Sequence, residues 1–565
     1  MMITALLLSL ALASVFLALL RSRAPRWAHL ALGVLPPALL LLCLPSLRVY
    51  GYHGFLQAGI VYQILQDNIP PTSPLLAGQP GTYPWAGAAV LATTSKLLGV
   101  SPFWAAAIVS IASLVVLLLA TYRIGLLVTG SREASLFGTV LPLYAFTFTQ
   151  AVPDNPIKGF LEGVIPIPFV EPRGAPILEK FNGCTAFPLG LALYAVALLC
   201  LLRLAREGAP HGRVVAAFAA SFLAVALVYP YLFPSTALLT AVAVILAWRT
   251  GGAGKRLALA LSCTLLFVVA SVLPYYLQLR RARNNPALEL IPLSGLAREV
   301  AVIVVTFLPM TLLVLWARRP VRETLRAQGR PATLLLASAG MNLVLFAFLL
   351  APLWSQHNFL LLAVFAFGIV GGIAFEVLYR RSFLVALSVL ALFLLPFSLD
   401  CIHKLEDWQE APRVFREEGT ALEHTDPAER DLYRWMRTQT DPQAVFVDRD
   451  LGLPVFGQRA LFVAVPSEKE MKALTTDGVD GYALDPRVFM KIVDGYPEEL
   501  VDQRLEIAEK LLAGEAPTPT DLAAIAAAGP RAYLVRRPGS IDRAEDTTLP
   551  VVFANPAATV FDLPR

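Results

Sequence analysis

Polar side chains interrupt the apolar sequence in several loops, and the first of these, 47–102, carries residues that can move a proton. An imidazole or a carboxylate at a membrane surface can take the proton of a hydroxyl group when its pKa lies near the working pH. His53 and Asp67 are therefore candidate catalytic bases. The candidate substrate-binding residues of the same loop are Tyr52, Gln57 and Tyr83. Tyr52 and His53 could instead anchor the loop among lipid headgroups, where aromatic and amphipathic side chains are common.

The second polar stretch, 153–185, combines carboxylates with basic residues among many prolines. Asp154 is a further candidate base, because a carboxylate this close to an apolar run could activate a hydroxyl group or hold a divalent ion. Asp154-Asn155 is not a two-aspartate motif, so a divalent metal has little support and no cofactor is assigned. The candidate substrate-binding residues here are Lys158, Arg173 and Lys180. The alternative is a solvated loop with surface ion pairs.

Cationic side chains mark two further loops, 278–298 and 354–357. Their candidates for binding a lipid phosphate are Arg280, Arg281, Arg283 and His357. Arginine can hold two phosphate oxygens at once, which suits an anionic lipid headgroup. Snorkelling to ordinary lipid phosphates is the alternative. A base and a set of phosphate-binding cations on one side of a membrane would suit transfer from a lipid-phosphate donor.

The apolar runs between these loops are long enough to cross a bilayer. Of the 565 residues, 56% are hydrophobic, against about 45–50% in soluble domains. We count about twelve spanning runs, each of roughly 16–22 residues, which predicts a polytopic α-helical membrane protein. The run 86–98 is shorter and contains Lys96, so we expect a re-entrant or interfacial helix there. Apolar positions within 54–66 suit an amphipathic helix lying on the membrane.

Basic residues near the ends of the apolar runs indicate the orientation of the chain. Such residues are retained on the cytoplasmic side. When the run 86–98 is not counted as a membrane span, they fall on alternate connections between the spans. The predicted outer loops are 47–102, 153–185, 278–298 and 354–357. The basic residues that break this rule, and are candidates for function for that reason, are Arg280, Arg281, Arg283 and Arg298. We expect an uncleaved first span rather than a signal peptide, because no basic residue precedes the first apolar run.

The charge balance changes at Asp400. Roughly 27 basic and 11 acidic residues precede it, whereas roughly 19 basic and 30 acidic residues follow from Asp400 onward, so the basic excess belongs to cytoplasmic loops and does not indicate nucleic acid binding. Residues 1–400 form the predicted transmembrane domain and residues 401–565 a soluble α/β domain with a mixed sheet. Because the N-terminus is predicted outside and an even number of spans, about twelve, precedes this domain, we expect the domain to be extracytoplasmic. Only Cys184 and Cys401 are predicted outside, and whether they pair stays open.

Motifs of soluble enzymes are absent from the sequence. The segment 251–256 departs from a phosphate-binding loop, because Arg249 stands in place of its first glycine and Arg256 in place of its serine or threonine. There is no paired CxxC motif, zincin helix, nucleophile elbow or dinucleotide-binding fingerprint. Soluble cofactor chemistry is therefore not expected.

The first outer loop carries a series of aromatic, glycine and proline motifs. They are Tyr52-His53-Gly54-Phe55, Ile69-Pro70-Pro71, Ala77-Gly78-Gln79-Pro80, Tyr83-Pro84-Trp85 and Leu98-Gly99-Val100-Ser101-Pro102. This series resembles the first outer loop of the GT-C membrane glycosyltransferases, which include protein mannosyltransferases and bacterial lipid A aminoarabinose transferases. The predicted spans and C-terminal domain are similar as well, whereas the motif resemblance is confined to this loop.

The resemblance implies a chemistry and also reveals a departure from the family. Members use a polyprenyl-phosphate-linked sugar as donor and typically place an acidic catalytic base in this loop. No Asp or Glu lies between Tyr50 and Gln57, where His53 stands instead, and Asp67 lies well downstream. Three readings stay open: His53 is the base, Asp154 is the base, or the scaffold lacks the usual activity.

The resulting hypothesis is a multi-pass glycosyltransferase of the inner membrane, either a hexosyl- or a pentosyltransferase. It would transfer a sugar from polyprenyl phosphate to an extracytoplasmic glycan, lipid or protein, with the C-terminal domain positioning that acceptor. Its predicted partners are the lipid bilayer, the donor and the acceptor, without nucleic acid. The alternatives are a transporter or flippase for a lipid-linked saccharide and a non-catalytic scaffold or sensor of the cell envelope. No internal repeat of the kind common in transporters is seen.

Overall fold

The chain folds mainly into helices, followed by a small sheet near its C-terminus. The computed structural model describes residues 2–21, 52–144, 181, 185–281, 289–291, 293–350, 357–410, 426–450, 452–465, 490–491, 494–538 and 549–564. The helices and short strands before the sheet are α1 (Met2–Arg21), α2 (Tyr52–Leu65), α3 (Ala86–Leu98), α4 (Pro102–Thr129), α5 (Arg132–Tyr144), α6 (Phe187–Glu207), α7 (Gly212–Val228), α8 (Phe233–Trp248), α9 (Gly252–Arg281), β1 (Glu289–Leu290), α10 (Leu293–Trp316), α11 (Arg318–Gln328), α12 (Arg330–Phe348), β2 (Leu349–Leu350), α13 (His357–Arg381) and α14 (Phe383–Glu410). Strands β1 and β2 pair antiparallel.

Within the described ranges, six helices are long and apolar enough to cross a membrane by length and composition. They are α4, α6, Pro230–Trp248 (a 3-10 turn with α8), α9, α12 and Asn358–Arg381 of α13. Shorter apolar helical stretches include Leu6–Ala18, Gly212–Val228, Thr306–Trp316 and Phe383–Leu395. The prediction of a mostly helical multi-pass protein is confirmed, whereas the number of twelve spans is not. The predicted span at 28–46 lies outside the described residues.

Local sequence signals set both ends of α4. The Ser101 side chain accepts a hydrogen bond from the Trp104 backbone N–H at 3.4 Å, and Pro102 follows at the first helical position, where no intrahelical hydrogen bond is lost. Gly130 ends the helix at φ +68°, a left-handed conformation that glycine adopts without steric cost. The chain then turns back, and α5 packs against α4.

The arginines of the helix connections gather at one end of the bundle. Arg380 lies 2.5 Å from Glu376 and 3.9 Å from Glu133, which joins the end of α13 to the start of α5. Arg381 lies 5.1 Å from the ring centre of Trp316 at the end of α10. Helix α11 packs against α13 and α4 at the same end, and its exposed basic residues are Arg318, Arg319, Arg322 and Arg326. The positive-inside rule predicts that this end faces the cytoplasm.

The C-terminal part forms a five-stranded mixed sheet with helices. Its elements are α15 (Pro427–Gln439), β3 (Val445–Val447), α16 (Leu453–Phe456), β4 (Ala460–Leu461), α17 (Glu498–Leu512), α18 (Pro519–Ala526), β5 (Ala532–Arg536), β6 (Val551–Ala554) and β7 (Thr559–Asp562). The strand order is β4-β3-β5-β7-β6. Strands β4, β3 and β5 are parallel, whereas β7 pairs antiparallel with β5 and β6. A small mixed C-terminal sheet, as predicted, is therefore present.

An ion cluster joins the carboxyl ends of β3 and β5 to α15. Arg537, which follows β5, lies 2.8 Å from Glu429, 2.9 Å from Asp448 and 3.0 Å from Asp450. The Tyr433 hydroxyl also donates to Asp450. Burial alone would lower the pKa of Arg537, but Asp448 and the two other carboxylates raise it above its usual value. Because Arg537 is the shared partner of all three carboxylates and links three elements, we assign the cluster a structural role.

Candidate functional site

Helix α2, which carries His53 near its start, is buried over most of its surface. Leu56, Ala58, Ile60 and Val61 are each at most 2% exposed, although a helix lying on a membrane would expose every third or fourth residue. The expectation of a half-exposed amphipathic helix is therefore wrong. The reason is that α2 packs not only against α3 and α4 but also against α16 of the C-terminal part.

A segment of the first loop, 74–77, adds to the C-terminal sheet beside β4. The Leu461 N–H donates to the Pro74 carbonyl at 3.0 Å, and the Ala77 N–H donates to the Leu461 carbonyl at 2.8 Å. The Ala464 N–H donates to the Leu75 carbonyl at 2.9 Å. An added edge strand makes bonds of this kind, and the loop shares one hydrophobic core with the C-terminal part. The two therefore lie on the same side of the membrane.

Two side chains of the C-terminal part hold the same loop. Arg504 of α17 is 4% exposed and donates to the carbonyls of Ala77 at 2.6 Å and Phe462 at 3.1 Å. Burial lowers the pKa of Arg504 to about 10, which leaves its guanidinium charged at neutral pH. The Tyr496 hydroxyl donates to the Pro80 carbonyl at 3.0 Å. The segment from Pro74 to Pro80 is thus fixed from several directions.

The far end of the loop contacts the exit of α9. The rings of Trp85 and Tyr275 meet edge to face with centroids 5.6 Å apart, and the Ala86 N–H donates to the Tyr275 hydroxyl oxygen at 3.3 Å. Arg280 and Arg281 follow on the same helix and are exposed, about 8 Å further along its axis. Two of the four cations predicted to bind a phosphate therefore lie close to the end of the first loop.

Aromatic and amide side chains occupy the neighbouring helix ends. The Asn358 side chain donates to the Tyr229 hydroxyl oxygen at 3.2 Å. The Tyr229 ring contacts Phe187 and Tyr231 at centroid distances of 5.4 Å and 5.7 Å. His357 is the residue before Asn358 and the first of α13. The starts of α6 and α13 thus meet the turn between α7 and α8 at the end of the bundle that holds the loop.

Several polar groups of the first loop are buried without a hydrogen-bond partner in the described part of the chain. They include both ends of the Gln57 amide, in a side chain 0% exposed, the Thr82 hydroxyl and the indole N–H of Trp85. An unpaired buried polar group costs about 1–3 kcal/mol, so native proteins nearly always pair such groups with protein, water or a ligand. Gln57, predicted as a substrate-binding residue, and Trp85 are therefore suited to bind a polar molecule.

The other predicted site residues occupy different parts of the chain. Tyr52 and His53 belong to the first turn of α2, and Tyr83 is half-buried just before Trp85. Asp67 is exposed in the turn after α2, fourteen residues beyond His53 and about 20 Å away along the helix axis. One reacting hydroxyl group therefore cannot use both residues. Five predicted site residues lie outside the described ranges, namely Asp154, Lys158, Arg173, Lys180 and Arg283. Cys184 lies outside these ranges as well.

Sequence reasoning missed the residues that hold the loop against the C-terminal part. A signal for Arg504 exists, because Val501, Leu505 and Ala508 form a buried stripe of α17 and the arginine lies within it. The hydrogen bond between Asn358 and Tyr229 has no comparable signal in the sequence. Among the residues that the structure describes, no group of three or more His, Cys, Asp or Glu side chains could hold a metal ion.

Comparison with solved structures identifies the fold. The chain is similar to the crystal structure of ArnT from Cupriavidus metallidurans bound to undecaprenyl phosphate, with a TM-score of 0.51 and 13% identity over 94% of this chain and 97% of that one. It is also similar to apo ArnT from the same organism (TM-score 0.49, 13% identity, 95% and 97% covered) and to apo oligosaccharyltransferase from Archaeoglobus fulgidus (TM-score 0.42, 12% identity, 77% and 64% covered). No protein-family model and no curated protein sequence matches the chain. The resemblance to GT-C glycosyltransferases is thus confirmed for the fold.

Proposed function

We propose that this protein is a membrane glycosyltransferase that moves a sugar from a polyprenyl-phosphate donor to an extracytoplasmic acceptor. The observation that carries the proposal is the fold. Over 94% of its length, the chain is similar in fold to a protein whose crystal structure holds undecaprenyl phosphate. The transferred sugar is a hexose or a pentose, and the acceptor is a glycan, a lipid or a protein.

Residues 1–400 form the transmembrane domain in this proposal, and residues 401–565 form an extracytoplasmic domain that positions the acceptor. The packing of the first loop on the C-terminal sheet supports placing both on one side of the membrane. Helix α4 has 28 residues, so it separates that packed unit from the turn at Gly130 by about 42 Å. With the arginine-rich end on the cytoplasmic side, as the positive-inside rule predicts, the loop and sheet of the proposed enzyme lie outside.

In the proposed reaction, His53 or Asp154 takes the proton of the acceptor hydroxyl group. The oxygen then attacks the anomeric carbon, the bond from that carbon to the phosphate oxygen breaks, and its electron pair leaves with the polyprenyl phosphate. The attack comes from the opposite face, so the configuration inverts. The cations that stabilise the departing phosphate are Arg280, Arg281, Arg283 and His357. Gln57 and the Trp85 indole supply hydrogen bonds to the bound substrates.

A transfer assay tests the function directly. The full chain, reconstituted in liposomes, is expected to release polyprenyl phosphate from at least one of the polyprenyl-phosphoryl hexoses and pentoses supplied with an acceptor mixture. Mass spectrometry of the lipid fraction measures the release. Absence of release from every donor, with a folded protein in the liposomes, would contradict the proposed activity and favour the binding or transport alternatives.

The double variant Arg280→Gln, Arg281→Gln is expected to bind the donor more weakly. Each arginine would lose a charge-assisted hydrogen bond to phosphate, so KM for the donor should rise about tenfold or more. Initial rates at increasing donor concentration give KM. The matched control is Arg203→Gln, Arg206→Gln, which removes two exposed charges at the other end of the bundle. An equal effect of both double variants would contradict a specific phosphate contact.

A further inference from the structure

Helix α11 crosses the arginine-rich end of the bundle between two longer helices. It joins the end of α10 at Trp316 to the start of α12 at Arg330, and its 11 residues measure about 16 Å. Val321 packs in one apolar cluster with Ala134 of α5 and with residues of α13, and the helix also contacts α4. One side of α11 is therefore fixed against the bundle, whereas the other side is exposed.

Four arginines lie on the exposed side of α11. Three of them recur every four residues and the fourth lies beside these, so the four positions share about 100° of the helix circumference. They are Arg318, Arg319, Arg322 and Arg326, and we call the side that they define the arginine face. The one carboxylate in this helix is Glu323. The arginine face thus concentrates positive charge on a short stretch of surface.

The arginine face keeps its charge because the neighbouring carboxylates bind another cation. Glu133 and Glu376, from the helices against which α11 packs, both contact Arg380. In the described part of the chain, no ion pair joins an arginine of this face to a carboxylate. Acidic residues outnumber basic ones only from Asp400 onward, and the sheet of that part packs on the first loop at the other end of the bundle. The partner of the arginine face is therefore an anion from outside the chain.

The neighbouring surface of α10 places the arginine face at the level of lipid headgroups. An exposed apolar stripe follows this helix at a spacing of three or four residues, as on a helix side that contacts lipid. It consists of Val304, Leu308, Leu312 and Leu315. The stripe ends at the exposed Trp316, and tryptophan is enriched where a membrane meets water. Arg318 follows two residues later, so the arginine face continues the lipid-contacting surface into the headgroup layer.

We propose that the arginine face of α11 binds anionic phospholipid headgroups. Arginine pairs with phosphate oxygens through two parallel hydrogen bonds, and four or more basic residues on an amphipathic helix attract anionic lipids. The positive-inside rule assigns this end to the cytoplasmic leaflet, which carries such lipids. A second copy of the chain does not fit, since its acidic part lies at the other end. The contact holds α11, and with it the adjoining ends of α10 and α12, at the membrane surface.

Native mass spectrometry of the full chain measures the preference for anionic lipid. The protein is released from nanodiscs that contain equal amounts of phosphatidylglycerol and phosphatidylcholine, and the ratio of the two retained lipids is determined. The test variant carries glutamine at all four positions of the arginine face. Its matched control loses four exposed arginines at the same end but on other helices, by Arg206→Gln, Arg213→Gln, Arg249→Gln and Arg256→Gln. We expect the ratio to fall at least about tenfold in the test variant and to change little in the control.

The four positions are exposed, so glutamine there leaves the packed side of α11 intact, and thermal unfolding in detergent checks the fold of both variants. An equal ratio in the wild type and the test variant would overturn the proposal and favour an acidic protein as the partner. An equal fall in the test variant and the control would also overturn it, because the effect would then belong to net charge alone.

A salt series on the wild type tests the same contact without any substitution. Exposed charges are screened over about 8 Å at physiological ionic strength and over shorter distances at higher salt. Washing the nanodiscs with increasing NaCl before release should therefore lower the ratio of phosphatidylglycerol to phosphatidylcholine. A ratio that does not depend on salt would contradict binding at an exposed face. The glycosyl-transfer assay is independent of these outcomes, because the arginine face contributes no residue to the proposed reaction.

Discussion

Replacement of Arg504 by methionine is expected to detach the first loop from the C-terminal sheet. The guanidinium is buried and donates to the carbonyls of Ala77 and Phe462. Methionine fills a similar volume but donates no hydrogen bond, so both carbonyls would remain buried and unpaired. Each would cost about 1–3 kcal/mol, and the two together would lower the unfolding temperature of a unit of this size by about 4–24 °C, at about 2–4 °C per kcal/mol.

Thermal unfolding in detergent and limited proteolysis measure the two consequences of this change. The segment from Asp67 to Pro84 should become accessible to protease at temperatures at which the wild type is protected, because loops that lose their contacts open locally. Lys510→Met is the matched control, since Lys510 is an exposed cation on the same helix. If the Arg504→Met variant showed the same protection from protease and the same unfolding temperature as the Lys510→Met control, Arg504 would not hold the loop in place.

The membrane part of the fold follows from local features of the sequence. Apolar blocks of sufficient length, a capping Ser101 and a terminal Gly130 determine where helices begin and end. Arginines such as Arg132, Arg213 and Arg380 mark the connections of one side, and the structure gathers the described connections at one end. These signals act over a few residues or through the bilayer, so a single sequence is enough to reveal them.

The surroundings of α2 could not be predicted in the same way. Its apolar positions fit a helix that lies on a membrane as well as they fit a helix buried under another domain. The sequence pattern alone does not distinguish the two. The burial of α2 depends on contacts such as the hydrogen bond between Leu461 and Pro74, which are nearly four hundred residues apart. Pairings at such separation depend on the tertiary fold, and no local propensity encodes them.

The candidate site was predictable in its parts and not in its assembly. Trp85 and Tyr275 each belonged to a conspicuous segment of the sequence, but their contact depends on how α9 packs beside the first loop. The unpaired amide of Gln57 is likewise a property of burial and not of residue type. Site residues on loops are positioned by the scaffold, so the motifs supply candidate residues and the packing determines which of them meet.

Removal of the catalytic base should have the largest effect on turnover. A positioned general base contributes about 10²–10⁴-fold to a rate, so His53→Ala is expected to lower kcat at least a hundredfold if His53 is the base. Asp154→Ala would then lower it much less. The reverse order assigns the role to Asp154. His211→Ala is the control for loss of a histidine, because His211 lies at the arginine-rich end and pairs with Glu207.

The pH dependence of transfer distinguishes the two bases independently of mutagenesis. A base is active when unprotonated, and an imidazole of ordinary pKa, about 6.5, loses that form as the pH falls through this value, whereas an aspartate of ordinary pKa, about 3.9, keeps it. If His53 is the base, kcat/KM should fall nearly tenfold per pH unit below about 6. A rate that stays level down to about pH 5, in a protein shown to remain folded there, would exclude an ordinary imidazole and favour Asp154. Retention of full turnover by both alanine variants would contradict both assignments and leave the chain with the family's scaffold and a different chemistry.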